Sequence, residues 1–228
     1  MSSVKQARWK RWLSYLWELH IESAPSEYNP HLYVSLSRGR YQLSTANAIY
    51  SYEDLYTNFR DAFRQLDLNG LAGGEVLLLG LGLGSVPHML EKQFGRDWRY
   101  TAVEIDPNVV YLAQKYVLSG LSSPITTHCG DAYFYVLQSE EAFDLICMDI
   151  FLDDVTPEPF QQRSFLEKLK ERLSPGGILL YNCLYRQEED KVSTERFYLE
   201  VFRKVFPSGG RLDVHGNWIL LSEAGGLK

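Results

Sequence analysis

A glycine-rich segment follows directly on an apolar run and is the feature that most constrains this chain. Residues 77–79 are three leucines, and Gly80, Gly82 and Gly84 come immediately after them. Glu104 closes a second apolar run twenty residues past Gly84. Glycines permit a sharp turn and a close approach of backbone to ligand, and a carboxylate ending the next strand can accept hydrogen bonds from both hydroxyls of a ribose. The spacing therefore predicts a strand, turn, helix and second strand that bind a nucleoside.

Segments of strand and helix character alternate from residue 75 onward. Such alternation predicts an α/β fold: a doubly wound, mainly parallel seven-stranded sheet with helices on both faces. The predicted strands are 75–80, 99–104, 124–128, 143–149 and 177–183, with a closing hairpin at 211–214 and 218–222. The predicted helices are 85–94, 107–118, 131–138, 158–172 and 190–205, with a turn at 174–177.

The first seventy residues have a different pattern. Residues 4–20 carry Trp and Leu at helical spacing, which predicts an N-terminal helix docked on the body rather than on a membrane or a partner. Segments 32–36 and 41–44 flank a glycine-containing turn and predict a β-hairpin, and 52–68 predicts an amphipathic helix. We expect this helix, hairpin and connecting helix to occupy 1–70, and the nucleoside-binding catalytic domain to occupy 71–228.

Composition excludes several classes of protein. The net charge of −6 argues against a nucleic-acid binder, which needs clustered Lys and Arg. With no long apolar stretch and no secretory signal, we expect a soluble cytoplasmic protein without membrane contact. Cys129, Cys147 and Cys183 are far apart and in apolar contexts, so we expect buried free thiols and no metal site.

Acidic residues follow three successive predicted strands. Glu104 ends the second strand, Asp131 follows the third, and Asp149 ends the fourth, with Asp153 shortly after. In open α/β sheets ligands bind beyond the carboxyl ends of the strands. We therefore expect these acids to share one site, although Asp131 also fits the role of a helix cap.

These motifs resemble the class I S-adenosylmethionine-dependent methyltransferase superfamily, and within it the spermidine synthases and their relatives. The resemblance covers roughly residues 30–222. It is carried by the glycine segment, Val103-Glu104-Ile105-Asp106, Gly130-Asp131-Ala132, Phe143-Asp144-Leu145-Ile146, and an N-terminal hairpin that bears Gln42 and leads to Tyr50-Ser51-Tyr52-Glu53.

The resemblance implies a Rossmann-like methyltransferase fold and a role for each matching residue. S-adenosylmethionine or its decarboxylated form would be the co-substrate, without a metal, and the acceptor would be a small molecule such as an amine. The implied nucleoside-binding residues are Gly80, Leu81, Gly82, Gly84, Glu104, Ile105, Asp131 and Ala132. The implied catalytic residues are Asp149 and Asp153, and the implied substrate-binding residues are Gln42, Tyr50 and Tyr52. The N-terminal helix and the hairpin are candidate surfaces for a homodimer.

The chain also departs from the spermidine synthase pattern. The glycine segment lacks the Asp that faces the aminopropyl tail, and Leu152 stands where the family has its base, one residue before Asp153. Apolar side chains at Leu81, Leu83 and 150–152 suit a less charged acceptor. The reaction is therefore either methyl or aminopropyl transfer.

Two other functions fit parts of the sequence. A glycine turn followed by an acid also suits an NAD-dependent oxidoreductase, but Ser85 stands where the third fingerprint glycine belongs. The altered loop after Asp149 suits a non-catalytic nucleoside-binding or scaffold protein.

Overall fold

The computed structural model describes residues 8–45, 48–71, 73–152 and 155–227. The N-terminal elements are α1 (Arg8–Leu13), β1 (Leu19–Ala24), β2 (Leu32–Ser37), β3 (Arg40–Ser44), β4 (Ile49–Ser51) and α2 (Thr57–Gln65). The later elements are β5 (Glu75–Leu79), α3 (Ser85–Lys92), β6 (Arg99–Glu104), α4 (Pro107–Tyr116), β7 (Ile125–Cys129), α5 (Ala132–Gln138), β8 (Phe143–Met148), α6 (Arg163–Glu171), β9 (Leu173–Leu184), α7 (Glu188–Phe197), α8 (Arg203–Val205), β10 (Gly210–Asp213) and β11 (Asn217–Leu221).

The later strands form one seven-stranded sheet in the order β10-β11-β9-β8-β5-β6-β7. Strands β9, β8, β5, β6 and β7 are parallel to one another, and β11 and β10 add two antiparallel strands beside β9 at one edge. The predicted doubly wound, mainly parallel seven-stranded sheet is confirmed. The chain winds outward from β5 in one direction and then from β8 in the other, so a crevice opens between the carboxyl ends of β5 and β8.

The central strands are apolar on both faces. In β5, Val76 and Leu78 join the hydrophobic cluster on one face of the sheet, and Leu77 and Leu79 join the cluster on the other. Side chains alternate across a strand, so a continuous apolar run belongs to a strand covered by helices on both sides. Because β5 is buried on both faces, the residues that follow it are held at the carboxyl edge of the sheet.

The N-terminal strands form a separate antiparallel sheet in the order β1-β2-β3-β4. The predicted hairpin is confirmed as β2 and β3, joined at Arg38 and Gly39. Apolar side chains of β2 and β3 pack with Leu83, Val109 and Leu112 of the larger sheet's connections. The small sheet therefore covers the region that follows the glycine segment.

The predicted helix at 4–20 is wrong in its extent. Helix α1 ends at Leu13, and Leu19–Ala24 instead forms β1, which pairs with β2 across a register shift. The helix buries little surface, because every described residue of α1 is at least partly exposed, with Trp12 at 71%. Ser14, just after α1, contacts the β2–β3 turn through the amide of Gly39. The homodimer stays a prediction.

The second half of the chain departs from prediction at three points. The predicted turn at 174–177 lies inside β9, which runs beside β8 with a break in register after Phe143. The predicted helix at 158–172 is a 3-10 turn (Glu158–Gln161) followed by α6, and that at 190–205 passes through a π turn (Tyr198–Phe202) between α7 and α8. Cys129 is exposed, because it ends the edge strand β7, whereas Cys147 and Cys183 are buried as predicted.

Within the part of the chain that the structure describes, no helix has the length and apolar character needed to cross a bilayer. The cytoplasmic location stays a prediction.

Candidate active site

A cavity of about 930 Å³ opens at the carboxyl ends of the parallel strands. Its wall includes residues that follow β5, β6, β7, β8 and β9, together with residues from the N-terminal sheet and from the start of α2. The residues predicted from sequence that line it are Gly80, Gly82, Glu104, Ile105, Asp131, Ala132, Asp149, Tyr50 and Tyr52. The structure therefore brings together nine residues that are scattered over 100 positions.

The bend after β5 approaches two neighbouring backbones closely. Gly80 has φ +88°, and a Cβ built there would lie 2.3 Å from the carbonyl oxygen of Asp149. Gly82 has φ +52°, and its Cβ would lie 3.1 Å from the carbonyl oxygen of Tyr50. Left-handed backbone and tight contacts of this kind require glycine. The bend is thus held between the end of β8 and strand β4.

Glu104 is held at the mouth of the bend by two backbone amides. One carboxylate oxygen accepts from the amide of Leu81 at 3.1 Å, and the other accepts from the amide of Asp106 at 3.1 Å. Burial raises the pKa of Glu104 above its usual range, against these hydrogen bonds, which lower it. A carboxylate has about four acceptor positions, so each oxygen keeps capacity for a ligand hydroxyl.

Leu81 and Leu83 do not line the cavity. The side chain of Leu81 packs in the core beneath the sheet, and that of Leu83 packs against the N-terminal sheet. Ser85, which breaks the dinucleotide fingerprint, bonds to Ser51 at 2.7 Å and to the amide of Tyr52 at 3.0 Å. The two leucines therefore give no apolar surface to an acceptor, and Ser85 fastens α3 to β4.

Asp131 and its neighbours form the far end of the cavity from β8. Asp131 caps α5, where its Oδ1 accepts from the amide of Tyr133 at 2.8 Å. Ile105 and Ala132 also line this end. An apolar wall beside one carboxylate can take a flat base with an amino edge.

Asp149 lies on the other side of the bend in a network of side chains. Its Oδ1 accepts from the amide nitrogen of Asn182 at 2.8 Å and from the hydroxyl of Tyr56 at 3.3 Å. Asn217 in turn donates to Asn182 at 2.9 Å. Burial raises the pKa of Asp149 to about 6, against these two hydrogen bonds, and the nearby Glu104 raises it further. Such a carboxylate is poised to exchange a proton near neutral pH.

The remaining predicted residues lie elsewhere. Gln42 is buried in β3 and does not line the cavity. Gly84, just before α3, does not line it either, and a Cβ built on Gly84 would meet the side chain of Leu118. Tyr52, in the wall, donates to Ser37 at 2.8 Å, and Tyr50 donates to Asn29 at 2.6 Å. Asp153 lies outside the described residues.

Several lining residues were not predicted. Tyr56 immediately precedes α2, and Asn182 lies in β9. Asn217 begins β11, and Arg186 lies in the segment after β9. The position of Asn182 near the end of a parallel strand was a signal that could have been used. Nothing in the sequence distinguishes Tyr56 among fifteen tyrosines.

One group of potential metal ligands lies outside the cavity wall. Among the residues described, Glu53, Asp54 and His88 place ligand atoms within 4.8 Å of one another. The guanidinium of Arg40 already pairs with both carboxylates, at 3.6 Å to Glu53 and in closer contact with Asp54. A cation there would compete with that arginine, so the cluster is explained as an ion-pair network that holds the 3-10 turn after β4.

Comparison with known proteins shows which proteins this chain resembles. The sequence model of a family described as a methyltransferase domain matches residues 76–177. A polyamine aminopropyltransferase of Vibrio vulnificus is 34% identical over 156 residues, which cover 64% of this chain and 49% of that protein. The chain thus matches about half the length of this relative, and other matched relatives carry methyltransferase names.

Two solved structures share the architecture. A probable spermidine synthase from Corynebacterium glutamicum has a TM-score of 0.68 at 19% identity, covering 88% of this chain and 78% of that one. Human methyltransferase-like protein 13, solved in complex with SAH, has a TM-score of 0.55 at 25% identity, covering 68% of this chain and 78% of that one. The fold, the matched domain and the relatives agree with the prediction from sequence: residues 76–177 match a methyltransferase domain, and the chain is similar to S-adenosylmethionine-dependent methyltransferases and to spermidine synthases.

Proposed function

We propose that this protein transfers a group from a sulfonium nucleoside to a nucleophile bound beside Asp149. One observation carries the proposal: Glu104 and Asp149, on opposite sides of the Gly80 bend, line a single cavity. The first carboxylate suits the ribose of the donor, and the second suits the nucleophile. The backbone between them leaves room for the sulfur-bearing tail.

The donor half of the cavity fits an adenine nucleoside. Glu104 has acceptor capacity left for ribose hydroxyls, since a carboxylate offers about four acceptor positions and the amides of Leu81 and Asp106 occupy one on each oxygen. Ile105 and Ala132 offer apolar contact to the base, and Asp131 offers an acceptor to its amino group. S-adenosylmethionine and its decarboxylated form share this nucleoside, so both fit this half.

The transfer is an in-line displacement at carbon. The nucleophile forms a bond to the carbon, the carbon–sulfur bond breaks, and its electron pair neutralises the positive sulfur. The leaving group is a neutral thioether, so alignment of the reactants supplies much of the acceleration. When the nucleophile is an amine, its proton passes to a base, and Asp149 with a pKa of about 6 is ionised at neutral pH.

Both transferred groups have support. The relative from Vibrio vulnificus is named as a polyamine aminopropyltransferase, and other relatives are named as methyltransferases. The acceptor is a small molecule or a protein group, and we propose an amine. Asp149 and Asp190, which line the acceptor half, are the acids that would stabilise its positive charge.

Calorimetry with three nucleosides tests the proposal. S-adenosylmethionine, its decarboxylated form and methylthioadenosine are titrated into the wild type, Glu104→Gln and the control Glu75→Gln, which changes an acid at the opposite end of β5. Glu104→Gln should weaken nucleoside binding by about 1–3 kcal/mol, because buried hydroxyls lose a charged acceptor. Glu75→Gln should bind as the wild type does.

Other outcomes would point to the alternatives. If none of the three nucleosides binds, the proposal is wrong. Fluorescence enhancement of NADH on mixing would favour the oxidoreductase. Tight nucleoside binding without turnover of any amine or other small acceptor would favour a scaffold.

A further inference from the structure

Arg186 is directed into the acceptor half of the cavity by the hairpin beside it. It follows the end of β9 by two residues and lines the cavity wall. A Cβ built on Gly216, in the β10–β11 turn, would lie 3.0 Å from Cγ of Arg186, so the arginine stem lies against that turn. The amide of Tyr185 bonds to the carbonyl of Gly216 at 2.9 Å and fixes the two segments together.

The charge of Arg186 has no counter-ion among the residues that the structure describes. Its guanidinium takes part in no ion pair or hydrogen bond with them, although the carboxylate of Asp190 is nearby. That carboxylate instead accepts from the backbone amides of Arg186 and Gln187 at the start of α7. Burial and Asp149 raise the pKa of Tyr56, and Arg186 opposes them, so its charge lies within electrostatic reach of that hydroxyl.

A guanidinium in this position selects for an anion of low charge. Arg186 is the one basic side chain among the described residues of the cavity wall, which also includes Glu104, Asp131, Asp149 and Asp190. Guanidinium groups bind carboxylates through paired, charge-assisted hydrogen bonds. A phosphate dianion would need more positive charge against these acids, and a polyamine would meet a like charge.

We propose that Arg186 binds a carboxylate in the acceptor half of the cavity. The inference rests on the proposed function, because it takes the sulfonium nucleoside as donor. The carboxylate belongs either to the amino-acid tail of S-adenosylmethionine or to the acceptor. In the first case Arg186 selects against decarboxylated donor; in the second it selects an acceptor with an acid and a nucleophile on one molecule.

The donor arm of the test uses Arg186→Gln and the control Arg196→Gln, an exposed arginine of α7 outside the cavity wall. Calorimetry compares S-adenosylmethionine with its decarboxylated form. If the donor carries the carboxylate, Arg186→Gln weakens S-adenosylmethionine binding about tenfold or more and leaves the decarboxylated form within about twofold. Arg196→Gln should leave both affinities unchanged.

The acceptor arm uses two small probes of equal length. Binding of 4-aminobutanoate and of 1,4-diaminobutane is measured on protein saturated with methylthioadenosine, which has no carboxylate. If the acceptor carries the acid, Arg186→Gln weakens 4-aminobutanoate binding about tenfold and does not weaken diaminobutane binding.

The outcomes separate the two ideas. A selective loss in either arm supports the carboxylate site and identifies its source. If Arg186→Gln alters neither carboxylate probe relative to the counterpart that lacks a carboxylate, the inference is overturned while nucleoside binding by the wild type still stands. If the wild type binds no nucleoside, the proposed function itself has failed.

Discussion

The two halves of the cavity are held in place by different means. In the donor half, Glu104 and Asp131 are positioned by backbone amides, and Asp131 bonds two residues along the chain. In the acceptor half, Asp149 is positioned by side chains of Tyr56 and Asn182, which lie 93 and 33 residues away in sequence. The donor half therefore depends on backbone shape, whereas the acceptor half depends on side chains that can be exchanged one at a time.

The family match divides the cavity in a similar way, although Asp149 itself lies inside the matched segment. The methyltransferase-domain model covers residues 76–177, which include Glu104, Asp131 and Asp149. Tyr56 precedes the matched segment, and Asn182 and Arg186 follow it. The proposed donor contacts thus lie inside the matched domain, whereas most side chains around the proposed nucleophile lie outside the matched residues.

Asp149→Asn gives the largest expected effect and tests whether the halves are separable. Turnover with an amine acceptor should fall by about 10²–10⁴, because the carboxylate that takes the proton is gone. Donor affinity should stay within about twofold, since Glu104 and the bend are untouched. Turnover is measured as release of the thioether nucleoside, and donor affinity is measured by calorimetry. The control is Asp213→Asn, which changes an exposed acid. Loss of donor binding together with turnover would contradict the division into two halves.

Gly80→Ala tests the point at which the halves touch. A Cβ at this position would lie 2.3 Å from the backbone of Asp149, at φ +88°, so we expect a loss of about 3 kcal/mol or more in the free energy of unfolding. Gly95→Ala is the matched control, because Gly95 has φ +65° and no atom within 4 Å of the added Cβ. Urea unfolding of both variants separates the contact from the backbone strain. If both variants lose the same unfolding free energy, the contact between the added Cβ and the Asp149 backbone does not destabilise the protein.

The pH dependence of stability sharpens the comparison from the acceptor side. Burial raises the pKa of Asp149 from 3.8 to about 6, so the folded protein binds this proton more tightly than the unfolded chain does. The resulting stabilisation is present below pH 3.8 and is lost as the pH rises through about 6. Asp149→Asn should therefore become more stable relative to wild type by about 1–3 kcal/mol between pH 4 and pH 7. Urea unfolding at both pH values measures the difference in unfolding free energy between the variant and the wild type. A difference that does not change with pH would contradict a raised pKa of the buried Asp149 carboxyl.

The contact between Ser51 and Ser85 gives the smallest expected effect. Each single change to Ala should cost about 1 kcal/mol of unfolding free energy, and the double-mutant cycle should show a coupling of about 0.5–1.5 kcal/mol. Nucleoside affinity should change little, because neither hydroxyl lines the cavity. A larger loss of affinity than of stability would mean that the N-terminal sheet is part of the donor half.

The donor half could be predicted because its information is local in sequence. Glu104 ends a strand, Asp131 follows one by two residues, and each comes just before a helix, so spacing alone indicated their common edge of the sheet. The acceptor network could not be predicted, because Tyr56, Asn182 and Asn217 meet only when α2, β9 and β11 are packed together. No periodic pattern in the sequence predicts contacts between residues this far apart in the chain.

The N-terminal segment shows how tertiary pairing overrides a local pattern. Trp and Leu at helical spacing over residues 4–20 favoured one long helix. Leu19 instead begins a strand that pairs with Leu36 of β2, and the helix ends at Leu13. The backbone hydrogen bonds offered by β2 decide the structure of residues whose side-chain spacing suits either element.

In the proposed reaction, the closeness of Gly80 to the backbone of Asp149 links the position of the departing sulfur to the position of the base. Side-chain bulk at one strand end would push the other outward, so the span between leaving group and base cannot be retuned by small steps at position 80. New acceptors are more readily reached by editing the wall that β9 and β11 contribute. Under the proposed mechanism, the distance between sulfur and base is set by the backbone, and acceptor specificity is set by side chains that can change one at a time.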